Sequence, residues 1–394
     1  MEPQPAPGRF ADDVTGAAVP TAQRRPVAAA AGALLAVGLL AGCGVRLEAP
    51  PAGEPVPDSL EVVRRTAVAD ALLVADGAEA ALEEVPTSRK RVVAELTRIA
   101  ADSREQAEAL GGEYDSGLAT GAPTDTQSSA WDKATPADVV EALDDAAARS
   151  RTAAGSTGDG PLARLLASVG AAQTVSGERL AALVDVAGPD VVEPRVPESA
   201  DADADDEGDA GDAGDEDDAE EATPSGSPTD DATATGQDAG GSSAQDDDTV
   251  PEGLTPHDLS TLVVSEDATR YALQLRAAIG SGTTRDRLLE RVAVHAQRAD
   301  GWAAVAGTQA TADDPRRAAY AVPRVAEQGD KALVIDLEND LATDYATLVG
   351  TTAAGTRAVL VDLLVDSAVA LDDWGAEPEP FPGLPEQAGD DAAA

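Results

Sequence analysis

The sequence predicts an all-α fold: two tandem four-helix bundles joined by a disordered acidic linker. Three observations predict it. Apolar residues make up 43% of the 394 residues, yet aromatics only 2%, a mix that suits close helix packing better than aromatic-rich sheets. Apolar positions recur three and four residues apart over long stretches before residue 190 and after residue 255, which is the helical period. Between these stretches, residues 201–248 contain no Lys, no Arg and no large apolar side chain, so they cannot bury enough surface to offset their ordering entropy.

The expected elements follow in order. Residues 1–42 read as a secretory signal: Arg24 and Arg25, an Ala/Leu-rich apolar run, then small residues. The run is short for a membrane span, which needs about 20 apolar residues. It ends in Leu40-Ala41-Gly42-Cys43, which resembles a bacterial lipobox. That resemblance implies cleavage before Cys43 and lipid attachment to it, with the protein held at the cell membrane on the extracytoplasmic face. The export route, general secretory or twin-arginine, stays open. Residues 43–57 form a Pro-rich tether.

An N-terminal bundle is expected over 58–190. Its first helix spans about 58–84, with Asp58 and Ser59 as N-cap candidates. The second runs from a Ser88 cap to Gly111-Gly112. The third opens on Thr135-Pro136 with Asp138 in its first turn, and the fourth covers about 161–185. The acidic linker is assigned to 191–254, and proteolysis within 195–252 is expected to yield two stable helical fragments. A second bundle over 255–375 repeats the plan and again opens on Thr-Pro, at Thr255-Pro256. A Pro-rich tail, 376–394, follows, with Phe381 expected to dock on the bundle.

Composition excludes several classes of function. Seventy-three acids against 28 bases leave a formal charge of -45, which a nucleic-acid backbone repels. One cysteine rules out an intramolecular disulfide. "GSTGDG" (155–160) and "GTTAAGTR" (350–357) lack the strand and the Lys-Ser/Thr ending of a phosphate loop and read as interhelical turns. Trp131, Trp302 and Trp374 read as packing residues, the latter two closing one end of neighbouring helices.

Five features of residues 256–384, in fixed order, carry a resemblance: "SEDATRYA", "AVHAQRADGW", "AAYAVP", "DLENDLATDYATLV" and "WGAEPEPFPGLPE". Together this region resembles a ferritin-like helical domain family of unknown function found in secreted proteins of high-GC bacteria. Ferritin-like metalloproteins carry a Glu on each of two helices and a Glu-x-x-His pair on each of the other two, so the resemblance directs attention to the same positions here. His295 falls on the stripe Leu288, Val292, His295, Ala299, Trp302, but Val292 stands where the Glu of a pair would be. Glu266 shares a stripe with Leu262 and Leu273, and Glu338 flanks the stripe of Val334, Leu341 and Tyr345. Glu266, His295 and Glu338 are therefore the candidate ligands of a single iron or manganese ion. Asp366 is a marginal fourth, since it and Asp362 fall on the side of their helix away from Leu360 and Leu364. The competing reading is a buried ion-pair network, Glu266 with Arg270 and His295 with a carboxylate.

The function expected from sequence is a lipid-anchored, non-catalytic binding or scaffolding module whose partner is an envelope protein or ligand. The alternative is a metal-binding ferritin-like protein using the reduced site.

Overall fold

The computed structural model describes residues 56–115, 131–197 and 250–387. Among them every regular element is a helix. The signal segment, Cys43, most of the tether and the central acidic run lie outside the described residues. The described residues fall within one compact unit. No described helix is long and apolar enough to cross a membrane.

The first half contains α1 (Ser59–Glu84), α2 (Lys90–Ala109), α3 (Pro136–Ser156) and α4 (Gly160–Val184). Local chemistry sets their ends. Asp58 accepts the Glu61 backbone N–H at 2.8 Å, and Asp159 accepts that of Leu162 at 2.8 Å; each supplies an acceptor to a first-turn donor that the helix leaves free. Thr135 and Asp138 form a reciprocal capping box. Helix α2 begins two residues after the expected Ser88 cap, with Arg89 at its N-cap and no side-chain bond there. It ends at Gly111 and Gly112, both at positive φ, where Gly112 N–H returns to Ala107 O at 2.8 Å. A side chain would strain that backbone.

The second half contains α5 (Pro256–Ile279), α6 (Gly282–Val305), a short α7 (Arg324–Glu327), α8 (Asp330–Thr351) and α9 (Ala358–Asp373). The second Thr-Pro opening also builds a capping box, Thr255 with Asp258. Helix α9 is buried on nearly all sides, which accounts for an apolar pattern too continuous to show one face.

The halves share one core. Helix α4 packs on both α8 and α9, and α3 packs on α9. Ala163, Leu166 and Val169 of α4 join Tyr345, Val349, Leu360 and Leu364 in a single buried cluster. Arg151 of α3 pairs with Asp362, and Arg179 of α4 with Asp372. Asp362, expected to face away from the apolar stripe, thus meets the other half. The contact is also reciprocal. The two Gly/Thr turns are spaced identically, 350 − 155 and 355 − 160 both giving 195. Gly355 N–H donates to Gly155 O at 2.7 Å. In the exchanged pair, a Cβ at Gly160 would lie 2.0 Å from Gly350 O, so only glycine fits. Residue i meeting j while j's counterpart meets i's is the pattern of a two-fold interface.

The C-terminal tail reinforces this junction. Phe381 is buried in the shared cluster, as expected of it. Gln106 of α2 donates to Pro380 O at 3.1 Å, and Ser168 of α4 to Pro382 O at 2.8 Å. Two buried polar groups of the first half therefore find their acceptors in the last residues of the second. The flanks of the acidic run are also engaged: Val196 packs against the cluster, and Ala353 N–H donates to Glu252 O at 2.8 Å.

The tryptophans pack at separate places. Trp131 donates to Leu73 O at 3.0 Å. Trp302, at the end of α6, is fully buried in the shared cluster. Trp374 lies under Arg287, near the start of α6. Helices α6 and α9 thus run antiparallel, and these two indoles close opposite ends rather than the same one.

The shared core alters what cleavage of the acidic run should do. Nicked within residues 198–249, the two parts should co-elute in native gel filtration and separate only in denaturant. Independent elution of two folded fragments would show that the junction contributes little.

Candidate functional site

The candidate ligands meet at the centre of the second half. Glu266, His295 and Glu338 are all fully buried. His295 lies between the two carboxylates: Nδ1 is 2.7 Å from Glu266 Oε2, and Nε2 is 3.2 Å from Glu338 Oε1. Glu338, placed by the sequence on the flank of its stripe, points inward. The helical register produces this convergence, because His295 and Glu266 each occupy a core position on an otherwise apolar face.

Two arginines that the sequence reading passed over complete the site. Arg291 and Arg298 stand four residues before and three after His295, on the same face of α6. Arg291 donates through Nε to Glu338 Oε1 at 2.9 Å and through Nη1 to Asp366 Oδ2 at 3.0 Å. Arg298 Nη2 lies 2.7 Å from the same Asp366 oxygen. Tyr345 donates its hydroxyl to Glu266 Oε1, and Ser367 donates to Glu338 Oε2 at 3.2 Å. The network touches α5, α6, α8 and α9. The spacing Arg-x3-His-x2-Arg was the available signal; it was obscured because arginine on a helix is ordinarily a surface residue.

The expected pair Glu266–Arg270 does not form. Arg270 instead pairs with Asp267 at 2.7 Å, and Tyr320 donates to the same carboxylate at 2.7 Å. Glu266 and Asp267 are adjacent in sequence and so point in different directions around the helix; Arg270 can reach only the outer one. Asp366 does belong to the site, through the two arginines rather than as a neighbour of His295.

The electrostatics are those of a balanced ion cluster. Burial opposes charge on His295, but Glu338 and Glu266 overcome it and raise its pKa above the ordinary 6.5. Burial would raise Glu338, yet Arg291 and His295 hold it down at about 2. Burial likewise works against Asp366, whose pKa Arg298 and Arg291 lower. Tyr345 is pushed well above 10 by burial and by the Glu266 carboxylate, so it remains a hydrogen-bond donor. Three cations (Arg291, His295, Arg298) therefore face three anions (Glu266, Glu338, Asp366).

This donor set does not fit a di-metal carboxylate centre. Both imidazole nitrogens are directed at carboxylates, and the arginines supply the charge that metal ions would otherwise provide. Among the described residues, no group of three or more His, Cys, Asp or Glu is disposed to hold a metal ion.

The fold and this geometry define an α-helical bundle domain with an internally neutralised core. Residues 259–386, which carry the network and the tail, match a domain family described as a domain of unknown function, DUF4439. Neither the curated proteins nor the solved structures contain a match to the chain.

The charge states predict a pH profile. The Glu338 contribution is fully present above its ordinary value of 4.5 and is lost as pH falls towards about 2. The His295 contribution is fully present below 6.5 and is lost as pH rises through the elevated value. Wild-type stability from this pair should be greatest between those limits and fall on the alkaline side. Chemical denaturation of His295→Gln should show a lower plateau, by about 3–5 kcal/mol for a broken buried pair, and a flatter alkaline limb. An unchanged alkaline slope would mean that His295 is not charged in the folded protein.

Proposed function

We propose that this chain is a lipid-anchored envelope protein whose paired, ferritin-like helical bundles act as a non-catalytic binding or scaffolding module. The observation that carries this reading is the charge balance of the buried site. Every carboxylate there is engaged by an arginine, imidazole or hydroxyl of the chain itself, so the ferritin-like ligand positions are used to hold four helices together. Buried charges persist when paired in this way. A further support is the shared core of α4, α8 and α9, which has small cavities at its edges where a partner or ligand could sit. The ferritin-like description rests on the ordered motifs of residues 256–384.

The anchor is read from Leu40-Ala41-Gly42-Cys43. Lipid attached at Cys43 would bind the membrane with about 0.8 kcal/mol per buried CH₂, enough for stable anchoring with more than one acyl chain. The tether from Cys43 to Pro57 would set the body off the surface.

Elemental analysis of protein purified without added metal should find no stoichiometric iron or manganese, and excess metal should leave the melting temperature unchanged. Stoichiometric metal that disappears in both Glu266→Ala and His295→Ala would replace this reading with the metal-binding one. Separately, Cys43→Ala should release the protein into the medium or leave it as unprocessed precursor. A variant that stays membrane-bound at mature size would refute the anchor.

A further inference from the structure

A long groove runs between α1 and α3 on the first half. It has two contiguous parts, of 400 Å³ and 460 Å³, which share Val63 and Ser156. Along α1 it extends from Ser59 to Asp70, about 16 Å at the helical rise. Leu60 and Val62 line it and are 40% and 48% exposed. Single exposed apolar residues are ordinary, but a groove lined by them marks a binding surface. The polar atoms of the groove are already engaged. Asp70 closes its far end by pairing with Arg149 at 2.8 Å, and Asp159 caps α4. The hydroxyls of Thr66, Thr152 and Ser156 donate to carbonyls of Val62, Ala148 and Thr152 on their own helices, so they seek no partner in the groove. Such a surface suits an uncharged, apolar and narrow occupant.

The second half covers the equivalent place with its own chain. By the spacing of 195 that relates the two glycine turns, Gly158 corresponds to Ala353. Ala353 N–H donates to Glu252 O at 2.8 Å, and Glu252 N–H donates to Thr356 Oγ1 at 2.9 Å. The residues just before α5 therefore lie across that turn, with Pro251 buried. Before α1 the chain takes another course: Val56 is 92% exposed, and Gly158 lines the open groove. The chain at the mouth of the groove leads back to Cys43. Thirteen residue steps separate Cys43 from Val56, at most about 45 Å when extended and about 20 Å as a flexible coil. A group carried on Cys43 can thus reach the whole groove.

We infer that the groove holds one acyl chain attached to Cys43 of the same molecule. The inference rests on the lipid-anchor reading and gives that anchor a second resting place. Each leaflet contributes about 15 Å of a hydrocarbon core about 30 Å thick, so an extended acyl chain matches the groove in length. Between Cys43 and Val56 the only large apolar residues are Val45 and Leu47, too few to fill the groove without the lipid. Every methylene held in the groove is withdrawn from the bilayer, so the body competes with the membrane for its own anchor.

The test follows the lipid itself. A photoactivatable fatty acid is supplied to the expressing cells, and the full-length processed protein is placed on phosphatidylcholine–phosphatidylglycerol vesicles and irradiated. Mass spectrometry of the digest should find the label on Cys43 cross-linked to peptides within 59–70 and 148–159 as well as to phospholipid. Thr66→Trp and Thr152→Trp, at exposed positions on opposite walls, should each block the groove and remove those peptide cross-links. They should also tighten vesicle binding at least roughly tenfold, because the displaced methylenes enter the bilayer. Lipidated Cys43 that cross-links to phospholipid alone would overturn the inference and leave the anchor reading standing. So would cross-links and vesicle affinity that are unchanged in both folded variants. Cys43 recovered without lipid would overturn both readings together, so the two failures are distinguishable.

Discussion

The second half of the molecule depends on one imidazole held between two carboxylates. His295 ties α6 to α5 through Glu266 and to α8 through Glu338, and the flanking arginines carry the connection to α9 through Asp366. Helices rich in Ala and Val bury little area per residue, and apolar contacts of that kind are weakly directional. Charged hydrogen bonds with fixed geometry are directional, and leaving one partner buried alone is costly. Alternative registers of α6 would strand Arg291, His295 or Arg298 against apolar neighbours. The network thus selects one packing among several that the apolar stripes alone would tolerate.

The first half solves the same problem differently. Its interior is mostly apolar or small, with a few separate buried polar side chains such as Asp70, Glu95 and Gln173, and two buried hydroxyls of α4 bond back to their own helix: Thr174 to Gly170 O at 2.9 Å and Ser176 to Ala172 O at 2.8 Å. Its charged contacts are dispersed rather than gathered into one network: Glu95, itself buried, pairs with the partly exposed Arg98 and Arg179. Uniqueness there comes from close approach, and above all from the glycine turn at Gly160 against Gly350. One half is specified by charge and the other by shape, and they meet along α4 and α9.

Much of this was legible in the sequence. The Thr-Pro-x-Asp openings of α3 and α5 encode local hydrogen bonds, so they marked helix starts to the residue. The inward positions of Glu266 and His295 followed from the stripes. What the sequence concealed was long-range choice. Nothing local tells whether Glu266 pairs with Arg270 on its own helix or with His295 across the bundle; that is decided by which side of α5 faces inward. Arg291 and Arg298 read as surface residues because arginine usually is one. The fusion of the halves was hidden for another reason: α4 and α9 are apolar on more than one face, and a second buried face leaves no distinct period to read. The two glycine turns looked like ordinary connections, since their meaning lies in each other.

The tail has a consequence for how the protein comes into being. Ser168 and Gln106 bond to carbonyls of Pro382 and Pro380, which are synthesised more than two hundred positions later. A chain made or threaded from its N-terminus therefore delivers the first half long before the acceptors that seal it. Its interior surface along α4 must wait, wetted, for α8, α9 and finally Phe381 to arrive. The last dozen described residues act as the closing stitch between the two halves.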